Sequence, residues 1–274
     1  MCLIVFDWRP AAVRGPLFTL SANRDEYLRR TADPLAWWAD APALLAGRDL
    51  AAGGTWLGVS RDGRFAALTN YRAPNDMRPD APTRGTLVSA YLQGAPLAPL
   101  DYLHRVAENG AAYNGFNLLA GDFTRRELGW YCNRSSAAPI LLDTGVHAIS
   151  NAVLDTPWPK LVRKRDELRR LLERDPAPPL ASLIELMRDP RTAHDDELPS
   201  TGLTLERERA LSAAFIETPE YGTRGTTALR VNARGAGFSI DITERSDDDG
   251  AHQLVRPGNF ERSFAFEIER NALG

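Results

Sequence analysis

The apolar positions of this chain fall into short runs broken by polar, proline- or glycine-containing stretches, the pattern of strands in quick succession. The first run, Leu3-Ile4-Val5-Phe6, has no polar break and predicts a buried strand over Leu3 to Trp8. Further strands are predicted over Leu17 to Ala22, Thr55 to Ser60 and Phe65 to Tyr71. Arg61-Asp62-Gly63-Arg64 lies between the last two and carries the Asp-Gly signal of a tight hairpin turn. Pro74 to Pro82 reads as a loop, and short helical spacing follows over Thr86 to Leu92 and Asp101 to Val106.

Strand patterns return at Asn117 to Ala120, Leu128 to Cys132, Ile140 to Leu142 and Val146 to Ile149. Thr156-Pro157-Trp158-Pro159 then supplies the fixed φ that a first helical turn wants. In the predicted helix Leu161, Leu168, Leu171 and Leu172 share a face, and Leu180, Leu183, Ile184 and Met187 repeat the pattern after a proline-rich break. Pro190 to Thr204 is polar and loop-like; its His194-Asp195-Asp196-Glu197 run reads as a solvated acidic stretch more than a cation site. Strands close the chain at Ala213 to Ile216, Thr226 to Val231, Gly237 to Thr243 and Ser263 to Ile268. This order fits either two packed sheets with helices outside or one sheet with helices on one face. No repeat or low-complexity linker divides the chain, so residues 1–274 are expected to form a single domain.

Composition narrows the function classes. A net charge of -3, with basic residues spread along the chain, argues against a nucleic-acid partner. All but two of the 33 basic residues are arginine, the exceptions being Lys160 and Lys164. No apolar run reaches the roughly 18 residues of a membrane helix, and the N-terminus lacks a secretory pattern, so a cytoplasmic location is expected. Two cysteines, Cys2 and Cys132, make no disulfide framework, and no Cys-x-x-Cys spacing suggests zinc, redox or covalent haem chemistry. His104, His147, His194 and His252 are isolated, so no metal site is expected and no cofactor is required.

Cys2 is the residue with the most distinctive chemistry. Its small side chain lets an aminopeptidase remove Met1, which would leave a thiol and a free α-amine on one residue. An α-amine titrates near about 7.7 to 8.0 and a thiol near about 8.5, so the amine can accept the thiol's proton at neutral pH. Polar groups also emerge from apolar strands at Asn23 to Glu26, at Asn70 to Arg72 and at Ser150-Asn151. In an extended strand Asn23 and Asp25 point one way and Arg24 and Glu26 the other, so only one pair can face Cys2.

Taken together, Met1-Cys2-Leu3-Ile4, Ala22-Asn23-Arg24-Asp25-Glu26, Thr69-Asn70-Tyr71-Arg72, Gly115-Phe116-Asn117-Leu118, Ser150-Asn151-Ala152, Thr156-Pro157-Trp158-Pro159-Lys160, Leu198-Pro199-Ser200-Thr201-Gly202 and Tyr221-Gly222-Thr223-Arg224 resemble the NRDE family, which includes the eukaryotic Transport and Golgi organisation proteins. The resemblance runs in order over nearly the whole chain. It implies an α+β fold, a four-layer αββα sandwich of two mainly antiparallel sheets similar to N-terminal nucleophile hydrolases, with Cys2 as the nucleophile. It also implies haem or acyl-CoA as candidate ligands of a trafficking or lipid-binding protein. By similarity to the cysteine amidases of that superfamily, Asn23, Arg24, Asp25, Asn70, Asn151 and Arg224 join Cys2 as candidate catalytic residues. Glu26, Tyr71, Arg72, Asn117 and Trp158 are candidate ligand contacts. The amidases carry an Arg-Asn-x-Asp run where this chain has the contiguous Asn23-Arg24-Asp25-Glu26, which leaves open how Arg24 and Asp25 divide the thiol-positioning roles. An N-terminal thiol near Arg24 or Arg224 is expected to have a lowered pKa, and Cys132 to be inert.

The expected outcome for the N-terminus is that the intact mass of natively expressed protein lacks Met1. A species retaining Met1 removes the α-amine from the mechanism.

Overall fold

The computed structural model describes residues 2–235, 237–248 and 254–269. Thirteen strands and five α-helices lie among them. The first sheet has six strands in the order β10 (Gly145–Ile149), β1 (Cys2–Trp8), β2 (Arg14–Tyr27), β11 (Tyr221–Arg234), β12 (Gly237–Ser246) and β13 (Phe260–Glu269). The second has seven in sequence order: β3 (Ala32–Trp37), β4 (Leu44–Asp49), β5 (Leu57–Ser60), β6 (Arg64–Asn70), β7 (Phe116–Asp122), β8 (Glu127–Cys132) and β9 (Ile140–Leu141). Neighbouring strands pair antiparallel in both sheets.

The sheets face each other across one apolar core in which Ile4, Phe6 and Trp8 of β1 meet Phe18 of β2 and Phe65 of β6. Outside the second sheet, α1 (Gly85–Gln93) and α2 (Pro99–Glu108) bury Val88, Tyr91, Leu92 and Leu103 against Ala66, Leu118 and Ala120. Outside the first, α3 (Pro159–Arg174) and α4 (Leu180–Met187) bury Leu161, Leu168, Leu183 and Ile184 against Leu3 and Val5. The result is the αββα sandwich, and it explains the unbroken apolar run at the start of the chain. Leu3 and Val5 point to the helices while Ile4 and Phe6 point to the other sheet, so both faces of this part of β1 are covered by apolar groups.

The structure corrects the sequence reading in two places. Ala213 to Ile216 forms bends instead of a strand, because its backbone bonds to irregular partners: Phe215 N donates to Asp189 O at 2.9 Å, and Ile216 pairs with Thr223. The run is buried, and Ala214 packs against Leu183, Ile184 and Met187 of α4. Strands β3 and β4 were not expected. Pro34 argues against a strand, and β3 tolerates it because it is the sheet edge and is bulged between Asp33 and Ala36. The acidic run His194 to Glu197 is a short 3-10 turn closed by its own capping box. No helix of the described residues is long and apolar enough to cross a membrane.

Asp155 closes the turn after β10 in a left-handed conformation (φ 56°), which aspartate tolerates better than most side chains. Its carboxylate accepts from Ala148 N and lies 2.9 Å from His147 Nδ1. That contact raises the His147 pKa above its ordinary 6.5, so the bond adds stability below about pH 6.5 and loses it as pH rises through the folded-state value. His147→Ala is expected to destabilise more at pH 5.5 than at pH 8.5, by on the order of 1 kcal/mol for a partly exposed pair. Urea unfolding at the two pH values measures the difference.

Candidate active site

Cys2 begins β1 and sits opposite Arg24 of β2, so the two side chains share the face that looks toward the second sheet. The Arg24 guanidinium lies 4.3 Å from the ring centroid of Trp56, which crosses over from that sheet. Cys2, Arg24, Asp25, Glu26, Asn70 and Arg84 line a cavity of about 420 Å³. Its rim depends on Gly54, whose φ is +77° and whose added Cβ would fall 2.5 Å from the Gly85 carbonyl carbon. Only glycine lets the loop carrying Trp56 approach the start of α1, where Arg84 donates to Gly115 O at 2.9 Å.

A second cavity, about 810 Å³, shares Glu26, Arg30, Asn70 and Arg84 with the first. Tyr27, Tyr71, Met77, Leu203 and Leu211 give it an apolar lining, and Arg72 and Arg207 add positive charge. Arg72 is held by Glu208 of α5 (Leu205–Ala210) through a 2.5 Å ion pair whose side chains are both 4% exposed. It also stacks 4.7 Å from the Trp158 ring centroid. Glu208 accepts in addition from Thr201 N and Thr201 Oγ1. Three motifs far apart in the chain, at Thr69 to Arg72, Thr156 to Lys160 and Leu198 to Gly202, therefore meet in one network.

Asn70 is the asparagine that both cavities share. Asn151 lies just behind it, its Nδ2 donating to Asn70 O at 2.9 Å and its Oδ1 accepting from Ser150 Oγ, which also donates to Cys2 O. Asn151 thus supports the cavity wall and does not face the space with a free amide. Asn23, Asn117 and Arg224 were expected at the site, and the structure puts their side chains elsewhere. Asn23 points to the helical layer, where it donates to Met187 O and Ala214 O and accepts from Thr226 Oγ1. Asn117 donates to Thr69 Oγ1 and Ala152 O and accepts from Trp130 Nε1. Arg224 is the extra residue of a bulge between Thr223 and Gly225, which aims it away from Cys2. It pairs with Asp247 at 2.6 Å and donates to the Tyr27 and Arg30 carbonyls, clamping the end of β2. Trp158 meets Arg72 without reaching the wall of either cavity.

Of the strand pairs left open by alternation, Arg24 and Glu26 take the Cys2 side, yet Asp25 also borders the cavity. Its Oδ1 accepts from Thr223 Oγ1 at 2.7 Å, and burial raises its pKa against the pull of Lys160. In the chain that carries Met1, burial raises the Cys2 pKa, outweighing the N-terminal amine, the Asp25 N–H and the Arg24 charge, with the Asp25 carboxylate adding to the rise; burial raises Cys132 as well. Arg30, Trp56, Arg84 and Glu208 went unnoticed in the sequence, where isolated arginines among 33 basic residues carry no signal. Met1 and His252 lie outside the described residues, and no group of three or more His, Cys, Asp or Glu among the described residues could hold a metal ion.

The fold and site define an α+β sandwich protein with a buried cysteine heading an inner strand and facing an arginine-walled cleft. The chain belongs to the Transport and Golgi organisation 2 family, whose sequence profile matches residues 1–247. It is 35% identical to a Transport and Golgi organization protein 2 homolog of Homo sapiens, over 95% of this chain and 99% of that one. A Mus musculus homolog is 34% identical over 90% and 93%. Among solved structures it resembles a mutant conjugated bile acid hydrolase from Clostridium perfringens (8% identity, 97% of each chain, TM-score 0.46). It also resembles a Caenorhabditis elegans N-acylethanolamine-hydrolyzing acid amidase ortholog (9% identity, 83% of this chain and 92% of that one, TM-score 0.46). At these values no chemistry transfers from those enzymes to this chain.

Asn23→Ala is expected to leave two buried carbonyls and a hydroxyl without their partner, at a cost on the order of 3 kcal/mol. Denaturant unfolding would measure the loss, while the alkylation rate of Cys2 in the folded protein stays at the parent value.

Proposed function

We propose that the protein is an N-terminal-cysteine hydrolase acting on an amide or thioester of a small or lipid-like ligand. The observation that carries this reading is the placement of Cys2: its thiol borders a cavity that continues, past Glu26, Asn70 and Arg84, into a larger one with apolar walls and several arginines. A ligand with an apolar body and an anionic end matches that lining.

In this mechanism removal of Met1 exposes the Cys2 α-amine, which takes the thiol proton. The sulfur attacks the carbonyl carbon, and the oxygen gains negative charge in a tetrahedral intermediate. Asn70, facing the shared space, is the side-chain amide that donates to this oxyanion, and one such donor is worth about 3 to 4 kcal/mol of barrier. The C–N or C–S bond then breaks, the leaving amine or thiol takes a proton, and water hydrolyses the acyl-cysteine. The raised pKa of the buried thiol makes a base obligatory, because little thiolate forms at neutral pH by itself.

A second reading, that the cleft carries haem or an acyl-CoA without turnover, draws support from the same raised pKa and from the engagement of the Asn151 amide with Asn70. The two readings part on mutation. Under hydrolysis, Cys2→Ala removes nearly all turnover of acyl-amide and thioester substrates while ligand affinity survives, and Asn70→Ala lowers kcat by about a hundredfold or more. Purified protein without Met1, assayed by product release and by titration with haem and acyl-CoA, decides between them. Undetectable release over a broad substrate set, with binding that Arg84→Ala weakens, overturns the hydrolase.

A further inference from the structure

Arg24 is only 8% exposed, yet among the described residues its guanidinium makes neither a hydrogen bond nor an ion pair. Its contact is with the Trp56 ring, whose centroid lies 4.3 Å away. Other deeply buried arginines are held: Arg64 by the Tyr91, Leu92 and Gly94 carbonyls, Arg72 by Glu208 and Arg224 by Asp247. Stacking on a ring covers one face of a guanidinium and uses none of its N–H donors, and leaving those donors without acceptors in an interior costs stability. Packing alone therefore gives position 24 no reason to be arginine.

Arg24 borders the cavity of about 420 Å³ and two small ones, of about 20 and 10 Å³. The small ones have room for one water at most, so a ligand of Arg24 can only occupy the first. Cys2 lines that same cavity, and strand register fixes it directly opposite Arg24, which puts the two Cβ atoms within about 5.5 Å of one another.

The charged side chains lining this cavity are Arg24, Arg30 and Arg84 on one side of the balance and Asp25, Glu26 and Asp49 on the other. Asp49 accepts from Arg30 through both oxygens, and Glu26 accepts from Tyr27 N. Asp25, on the other face of β2 by alternation, accepts from Thr223. Glu244 and Asp247, which border the 20 Å³ cavity, are engaged by Leu35 N and by Arg224. Arg84 gives one N–H to Gly115 O. N–H groups without protein acceptors therefore remain on Arg24 and Arg84, between walls whose formal charges cancel. The α-amine that loss of Met1 leaves on Cys2 adds one positive charge. A single negative charge completes this balance, and a planar carboxylate matches the guanidinium fork, whereas a doubly charged phosphate would face three carboxylates.

We propose that Arg24, assisted by Arg84, is the carboxylate-binding residue of the cleft, so the substrate class is an amide or thioester whose leaving group carries a carboxylate a few bonds from the acyl carbonyl. The inference rests on the reading of Cys2 as the nucleophile and names the leaving group for it. The carboxylate lies on Arg24 in the smaller cavity and the carbonyl lies over Cys2. The apolar acyl chain then runs past Asn70 and Arg84 into the larger cavity, between Tyr27, Tyr71 and Leu203. An N-acyl amino acid is the simplest such molecule.

The test compares two alkylating agents of nearly equal size, the anionic iodoacetate and the neutral iodoacetamide, on protein without Met1. Both react with the same thiolate, so the ratio of their rates at Cys2, read by peptide mapping at about pH 8, is independent of the thiol pKa. An unassisted thiolate repels iodoacetate, and glutathione in the same mixture reports its ratio. Cys2 is expected to favour iodoacetate by about tenfold, with a rate that saturates, since one charge-assisted hydrogen bond is worth at least that much. Arg24→Gln should return the ratio to the glutathione value, and Arg24→Lys should keep part of the preference. Butyrate should protect Cys2, and methyl phosphate at equal ionic strength should not. A parent Cys2 that follows glutathione, or that iodoacetate leaves unlabelled, overturns the proposal without recourse to any variant. So does a preference that persists in folded Arg24→Gln, with folding checked by thermal melting, or protection by methyl phosphate equal to that by butyrate. Turnover is measured apart on N-lauroylglycine and N-lauroylethanolamine, with kcat/KM about tenfold higher expected for the first. Equal values overturn the leaving-group assignment. Release from neither counts against the hydrolase reading, while the labelling ratio judges Arg24 independently.

Discussion

The register of β1 against β2 is the constraint on which the rest of this molecule depends. Cys2 opposite Arg24 puts the thiol toward the second sheet and the cavity, and Leu3 opposite Asn23 puts those two side chains under the helices. Slipping one strand by a single residue would exchange the faces and bury the charged set beneath α3. Both faces of the first sheet are covered, so such a slip has no cheap alternative, and the apolar alternation of Ile4, Phe6 and Trp8 secures the register from within.

Around that register the protein gathers an unusual amount of buried charge at one end of the sandwich. Arg72 with Glu208 and Arg224 with Asp247 are both nearly solvent-free ion pairs. Such pairs contribute little net stability once desolvation is counted, but removing one partner is expensive. They act here as fasteners of irregular backbone. Arg224 holds the chain leaving β2, and Arg72 ties the end of β6 to α5 and to Trp158. The residues left facing the cavities, Cys2, Arg24, Glu26, Asn70 and Arg84, are thereby carried on a frame that has few ways to relax.

Much of this frame was legible in the order of residues, because strand and helix periodicities are local properties. The buried strand at Leu3 to Phe6, the hairpin at Asp62-Gly63 and the amphipathic helices after Pro159 and Pro179 all follow from patterns a few residues long, and the family was legible because its short motifs recur in order. The choice between one sheet and two was not, since packing partners are set by contacts between distant segments. Nor was Pro34 readable as an edge-strand residue, because edge position is a property of the whole sheet. At the site, sequence brought Cys2, Arg24 and Asn70 forward as polar groups on apolar strands, and the fold sets all three along one cavity. It could not tell that Asn23 turns to the helices, that a bulge swings Arg224 away from the thiol, or that burial raises the thiol's pKa. Each of these is decided by what lies across from the residue in space, and desolvation, bulges and the partner of a buried amide exist only once the two sheets and their helices have closed on one another.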